Sequence, residues 1–405
     1  MHKILSFTAV LTLVGLLASP LAVFAQLTST TGLEPATGGG TVPVVKAKWE
    51  MYTAGYGYSP AHPNVTGQGE DEEDTAGAQF HPSGNWGERL EYDICAIVTD
   101  DNGIADINGV FADIYYPSNR TYHISDEGTT SNLDPDEIDA PEGQCSAFIE
   151  QNTLVSLTKD QGIELFCNSI RNNNTNLPTF NIPFFNGLGI TNDSGMYDEI
   201  CAPDGELQKE TAKVYCDHKT LSWQDPAGNY TVKILAQDKS GNSSALLENN
   251  FTYMELTSFD KDFSNVVYGQ VQLNVEKKIA GNRTFLAADG RPTVRNLGNT
   301  LLNVRVAQDD MFLGQSSGIS NVFYNARVGN LESDWVNPNY PPFKFLPTAG
   351  NPISGQYTTL AEVLNLSEIE EIDFSVLVNK WPTTATSFNG NMWMNAISAS
   401  WPSCS

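Results

Sequence analysis

Two short stretches hold the residues best suited to chemistry. Asp100, Asp101, Asn102 and Asp106 crowd one predicted turn, and Asp238 and Asn242 crowd another. Carboxylate and amide oxygens are what a hard divalent cation requires, roughly six to eight at a time for calcium. These residues are the candidate calcium ligands, and calcium is the one cofactor the sequence suggests. Asp and Asn also stabilise turns through bonds to their own backbone, and the same spacing serves that purpose equally well. The acidic run Glu70–Asp74 reads as a solvated charge cluster. Asp134, Asp136 and Asp139 begin like a calcium loop but lack the glycine and closing glutamate of an EF-hand.

Catalytic signatures are missing. There is no Gly-x-Ser-x-Gly elbow, no H-E-x-x-H pair, no P-loop and no dinucleotide fingerprint. The histidines beyond His2 are His62, His81, His123 and His218, a thin supply for a triad. Carboxylates are so plentiful that a glycosidase pair would carry no information. No catalytic residue is assigned. Tyr52, Tyr56, Tyr58 and Trp86 lie among Gly and Pro, where sugars or protein partners stack on such rings.

The six cysteines are Cys95, Cys145, Cys167, Cys201, Cys216 and Cys404. None forms a C-x-x-C pair, so a zinc or redox role is not indicated, and their number fits disulfides in an oxidising compartment. Sequence alone leaves the pairing open. The crowding of four of them between about 118 and 224 predicts bonds among Cys145, Cys167, Cys201 and Cys216. Cys95 and Cys404 would then pair with each other, or Cys404 would link subunits.

The elements that must position these residues are mostly strands. Val45, Ala47, Trp49 and Met51 alternate with Lys46, Lys48 and Glu50, which predicts a strand with its apolar members facing a core. Leu90, Tyr92, Ile94, Ala96 and Val98 predict the next. Asp100-Asp101-Asn102-Gly103 then reads as hairpin chemistry leading into Val110–Tyr116. Between 118 and 224 the pattern weakens. Thr158–Gln161 resembles a capping box ahead of a helical face at Ile163, Phe166, Cys167 and Ile170. Leu207, Thr211, Val214 and Tyr215 suggest a second short helix. Alternation returns at Tyr230–Ala236, and again at Val267–Val275, Leu302–Val306, Val322–Val328 and Ile372–Val378. Many short strands separated by Gly, Pro and Asn turns indicate sandwiches.

The N-terminus carries export signals. Met1-His2-Lys3 gives a positive start, Ile4–Leu21 is apolar or small apart from Pro20, and Val23-Phe24-Ala25 offers a cleavage site. Residues 1–25 are read as a signal peptide and 26–43 as a flexible leader rich in Thr and Gly. No later apolar run is long enough to span a bilayer. With 48 acidic against 22 basic residues, a net charge of −26, nucleic acid is excluded as a partner. Sequons stand at Asn64, Asn119, Asn173, Asn192, Asn229, Asn242, Asn250, Asn282 and Asn365.

Gly228-Asn229-Tyr230-Thr231-Val232, followed by Ala236-Gln237-Asp238-Lys239-Ser240-Gly241-Asn242, resembles the last hairpin of immunoglobulin-like domains in prokaryotic secreted and surface proteins. Ile97–Ile104 resembles an earlier hairpin of that fold. Pro292–Thr300 is similar to secreted β-sandwich proteins of uncharacterised bacteria and archaea, some of which coat cells or form filaments. The resemblance implies fold and says little of function.

The expected fold is mainly β. An immunoglobulin-like sandwich over 44–265 carries a cysteine-rich, partly helical insertion at about 118–224, and a second β-sandwich follows over 266–405. The expected role is a non-enzymatic extracellular or cell-surface structural protein, such as a sheath, surface-layer or filament subunit. A secreted adhesin or carbohydrate-binding protein is the second reading, and a hydrolase with an unrecognised site the third. Partners would be further copies of the chain, other surface proteins or glycans.

Overall fold

The computed structural model describes residues 40–52, 79–118, 148–156, 199–202, 204–206, 208–329, 356–382 and 387–404. The predicted signal peptide, the acidic run Glu70–Asp74, the Asp134–Asp139 stretch, Tyr56 and Tyr58, and the predicted helix at 158–170 lie outside the described residues. The fold is mainly β. Among the described residues no helix is long and apolar enough to cross a membrane.

The first sheet system contains β1 (Val44–Tyr52), β2 (Gln79–Phe80), β3 (Arg89–Thr99), β4 (Ile107–Tyr115), β5 (Phe148–Ser156), β6 (Ala212–Ser222), β7 (Gly228–Asp238) and β8 (Leu247–Tyr253). Their order is β1-β3-β6-β5-β4-β7-β8-β2. β5 lies along β4 and touches β6 only at Val155 and Ser156, so it links two layers. Inward residues of both layers share one core: Ile94, Ala96 and Val98 of β3 meet Val110, Val232 and Phe251 of the facing layer. An aromatic group fills one end, with Tyr230 stacked on Phe251 at 4.9 Å and Phe80 at 5.3 Å from the same ring. The tyrosines send their hydroxyls to a single turn. Tyr116 donates to Asp225 at 2.9 Å, Tyr230 to the Pro226 carbonyl at 2.8 Å, and Tyr253 to the Ser222 carbonyl at 3.2 Å.

The second system contains β9 (Phe259–Lys261), β10 (Lys277–Ile279), β11 (Thr293–Asn296), β12 (Leu302–Gln308), β13 (Gln315–Ser316), β14 (Ile319–Ser320), β15 (Val322–Val328), β16 (Thr358–Leu364), β17 (Ile369–Val378) and β18 (Met392–Ser398). β17 is its centre: β15 flanks one side, β10 and β11 share the other, and β9 continues from β11. β16-β12-β18 forms the opposing layer. Val304, Val306, Tyr324, Phe374 and Val376 lie in the core between them. Because β9 pairs with β11, the second system begins at Phe259.

Four expectations change. First, β1 does not keep one phase. A bulge falls between Val45 and Ala47, after which Lys48 stands opposite Ala96 and Glu50 opposite Ile94. One extra residue exchanges the two faces of a strand. Lys48 and Glu50 therefore enter the core, 3% and 0% exposed, and bond to each other at 2.5 Å. Second, β3 and β4 are not a hairpin. β3 pairs with β1 and β6, and β4 with β5 and β7, so residues 100–106 carry the chain from one layer to the other. Third, Val214 and Tyr215 belong to β6, not to a helix. An unbroken antiparallel ladder from Ala212 to Ser222 outweighs a short helical spacing. Fourth, Cys216 bonds Cys95, directly opposite it in that ladder. This overturns both the closed set of Cys145, Cys167, Cys201 and Cys216 and the Cys95–Cys404 pair. Cys201 and Cys404 are also disulfide-bonded, and Cys145 and Cys167 lie outside the described residues.

Between the systems sits the Asn296-Leu297-Gly298-Asn299-Thr300 stretch. Asn299 is fully buried and spans both sides of the junction. Its amide donates to the Met254 carbonyl at 2.9 Å, its Oδ1 accepts from Leu256 N–H at 2.8 Å, and its own carbonyl accepts from Ala227 N–H at 2.7 Å. Asn296 holds the loop from within, accepting from Gly298 N–H at 2.8 Å and donating to the Thr300 carbonyl at 2.8 Å. A Cβ on Gly298 would stand 2.1 Å from the Leu256 carbonyl oxygen, so only glycine fits. Beside it a stack crosses the junction. Trp223 lies 4.3 Å from Trp86, and the Arg295 guanidinium lies 4.7 Å from Trp86 and 3.9 Å from Phe285. Trp401, near the C-terminus, packs back against the first core.

Candidate functional site

The predicted calcium ligands meet at one end of the first sandwich. β4 pairs with β7 in a register that sets Ile107 opposite Asp238. The Lys239 N–H donates to the Asp106 carbonyl at 2.8 Å, so the 100–106 crossover and the 238–242 turn lie side by side. The sequence showed two separate acidic turns, and this strand pairing makes them one cluster.

Asp100, at the end of β3, is 2% exposed. Its Oδ1 accepts from Asn102 N–H at 2.8 Å and from the Thr41 hydroxyl at 3.1 Å. Its Oδ2 is enclosed and has no hydrogen-bond partner among the described residues. Asp238 is 1% exposed, and both its oxygens accept from Asn242, each at 2.7 Å. Asn102 donates to Asp106 Oδ2 at 3.4 Å. Asp101 is exposed and joins none of these bonds.

Gly40 marks where the side chains converge. A Cβ there would lie 2.6 Å from Asn102 Nδ2, 3.0 Å from Asp106 Oδ2 and 3.3 Å from Asp238 Oδ2. Two carboxylates and an amide thus face one small volume against bare backbone. Among the described residues no Lys, Arg or His forms an ion pair with Asp100, Asp106 or Asp238. The negative field reaches the core: burial, and then the Asp100 charge, push the Tyr215 hydroxyl up to about 12.

The two carboxylates suit a hard cation, while the Asn102 amide presents its nitrogen and would have to turn to offer oxygen. Among the described residues no group of three His, Cys, Asp or Glu side chains stands ready to hold a metal ion. A cation here would be held by Asp106, Asp238, a turned Asn102 amide and backbone carbonyls together. The bonds from Asn242 to Asp238 already serve the turn and would have to be shared.

The sequence missed a different group. Lys48, Glu50, Asp217 and Lys219 form a charged layer between the sheets, with Lys219 bonded to Asp217 at 3.0 Å. Tyr92 stands opposite Lys219, and its hydroxyl is held far above its usual range by burial first, then by the charges of Glu50, Asp225 and Asp217. No periodicity rule finds this layer, because the bulge at the start of β1 creates it.

No family profile matches the chain, and no curated protein does. Among solved structures, similarity is found to the C-terminal domain of the Streptococcus pyogenes antigen I/II-family protein AspA. The identity is 11%, over 87% of this chain and 96% of that one, at a TM-score of 0.19. A chaperone–tip adhesin complex of CFA/I fimbriae biogenesis is similar at 8% identity, over 90% and 92% of the two chains, at a TM-score of 0.21. Both overlays are poor.

Proposed function

We propose that this chain works outside the cell as a non-enzymatic structural protein, a subunit of a sheath, surface layer or filament. The observation that carries the reading is the junction. The buried Asn299 side chain, bonded to backbone at Met254 and Leu256, and the Trp223–Trp86–Arg295–Phe285 stack fasten one sandwich to the other. A hinge would leave such groups in water, whereas a clamp gives a stiff two-sandwich unit suited to a coat or fibre. The secretory start of the sequence and the cross-sheet disulfide fit that setting. Calcium at the Asp106–Asp238 end would neutralise the cluster and fix the crossover. Labelling the protein on native cells and imaging their surface by electron microscopy is the test. Label in an ordered surface array or fibre supports the reading; label only in the medium, as dispersed monomer, ends it.

One feature favours a second reading, as an adhesin. Met311 and Phe312 both have positive φ, 51° and 61°, which bulky residues rarely adopt. Asp309 and Asp310 impose this by accepting from the Met311 and Phe312 N–H groups at 3.0 and 2.9 Å. The turn leaves Phe312 79% exposed and Ile319 of the β13–β14 hairpin 62% exposed. Strain that displays an aromatic ring is a mark of binding loops. Retention on a glycan array by the wild type, lost in Phe312→Ser at unchanged melting temperature, would favour this role.

A further inference from the structure

Five sequons fall within the described residues, at Asn229, Asn242, Asn250, Asn282 and Asn365. The fold separates them into two kinds. Asn242 donates its amide to Asp238 at 2.7 Å. Asn282 donates its own to Asp289 at 2.6 Å, while its Oδ1 accepts from Thr293 at 2.9 Å and from Thr284 N–H at 3.1 Å. Asn365 is followed by Leu366 and Ser367, both 0% exposed. Each of these sequons is used or enclosed by the fold.

Asn229 and Asn250 differ. They stand on adjacent strands β7 and β8, and both are exposed on the outer face of the sheet. The register sets Asn229 opposite Thr252 and Thr231 opposite Asn250. The sequons Asn229-Tyr230-Thr231 and Asn250-Phe251-Thr252 therefore interlock. Thr231 donates its hydroxyl to Asn250 Oδ1 at 2.8 Å, and Thr252 donates to Asn229 Oδ1 at 2.7 Å. Each amide is held by its oxygen, and its nitrogen has no hydrogen-bond partner among the described residues. The middle residues, Tyr230 and Phe251, are fully buried and fix both backbones. A substituent on either nitrogen would project into solvent without breaking a bond of the fold.

We propose that Asn229 and Asn250 are a paired site of N-linked glycan attachment. The proposal rests on the export reading above, since the donor, a polyprenyl-diphosphate-linked oligosaccharide, acts outside the cytoplasm. Transfer forms a bond from Asn Nδ2 to C1 of the first sugar and breaks the bond from C1 to the diphosphate oxygen. The diphosphate leaves with that electron pair, and the amide proton passes to a base of the transferase. Two neighbouring glycans would cover the outer face of β7 and β8 and leave the turn cluster and the junction bare.

The test uses full-length protein recovered from its own host, with intact mass and glycopeptide mapping after its location has been established. Sugar is expected at Asn229 and Asn250, and none at Asn242, Asn282 or Asn365. Asn229→Gln and Asn250→Gln should each remove one glycan mass. Thr231→Ser should keep both glycans, while Thr231→Ala should lose the one on Asn229. Protein found outside the cell with both asparagines bare overturns the assignment alone. Sugar on Asn282 or Asn365 without Asn229 and Asn250 overturns the selection argued from the fold. Protein confined to the cytoplasm overturns the export reading, and the assignment with it.

Discussion

The two sandwiches bury charge on opposite faces of their sheets. In the first, the bulge in β1 turns Lys48 and Glu50 inward, between the layers, where Glu50 Oε2 has no hydrogen-bond partner among the described residues. In the second, Arg327 of β15 and Asp373 of β17 sit opposite each other on the outer face, bonded at 2.8 Å. Chain from the 264–292 stretch is fastened there. Asp373 accepts from Gly281 N–H at 2.7 Å, and Glu276 accepts from Asn325 and Ser375 at 2.9 and 2.6 Å. One pair lies inside a core and the other fastens a covering segment. The inner pair sits where apolar side chains would pack, so its contribution depends on both partners staying together. The outer pair shares its load among several backbone and side-chain bonds.

The largest expected effect comes from breaking the inner pair. Lys48→Ala or Glu50→Ala leaves one buried charge alone and should cost about 3–5 kcal/mol. The double variant Lys48→Met with Glu50→Leu should recover most of that loss or exceed the parent, because apolar pairs often replace buried ions without penalty. Arg327→Ala, at a partly buried site, should cost about 1–3 kcal/mol. Urea unfolding of the four proteins measures all of this. Equal losses at Lys48 and Arg327 would remove the contrast between the two faces.

Next in size is the cross-strand disulfide. Cys95 and Cys216 close a loop of 121 residues, and removing a native bond of this kind costs about 2–5 kcal/mol. Cys95→Ala with Cys216→Ala should lower the melting temperature of the first sandwich. The second sandwich should hold its melting temperature if the junction does not transmit the loss.

Gly298→Ala tests that transmission. The added methyl would meet the Leu256 carbonyl, and overpacking of this kind costs about 1–3 kcal/mol. More telling than the magnitude is the coupling. With the Asn299 clamp loosened, a single calorimetric transition should separate into two. One transition in both proteins would mean that the sandwiches are coupled elsewhere, for example through Trp401.

Much of this architecture was legible in the sequence. Strands with unbroken alternation, such as Tyr92–Val98, Tyr230–Ala236 and Val322–Val328, put their apolar residues in the core as read. β1 reads equally well and folds otherwise, because a bulge leaves no mark in the residue types. The 100–103 turn has hairpin chemistry, but whether a turn joins partners or crosses between layers is decided by long-range pairing. Cys95 and Cys216 are far apart in the chain and become neighbours only in the β3–β6 ladder. For the candidate site, the residue types were visible and the convergence was not. Asp106 and Asp238 meet only because β4 pairs with β7. Gly40 was read as part of a flexible leader, and its contact with both could not be foreseen from its type.

The smallest expected effect concerns that convergence, and it bears only on the first sandwich. A cation that binds the folded state alone adds RT ln(1 + [L]/Kd), about 1.4 kcal/mol at ten times Kd. Excess chelator against millimolar calcium should therefore lower the melting temperature of the parent slightly, and in Gly298→Ala it should lower the transition of the first sandwich and leave the second in place. Simple screening of a strongly acidic chain would also raise stability, so the comparison needs matched ionic strength, set with sodium chloride. Substitutions then separate a site from a field. Asp106→Asn and Asp238→Asn remove carboxylates that face Gly40 and should abolish the calcium response. Asp101→Asn removes the same charge from an exposed neighbour and should preserve it. Without calcium, Asp106→Asn should match or exceed the parent, because relieving repulsion in an uncompensated cluster is stabilising. If all three variants respond to calcium as the parent does, the turns hold only themselves. The unpartnered oxygen of Asp100 would then need another explanation within the first core.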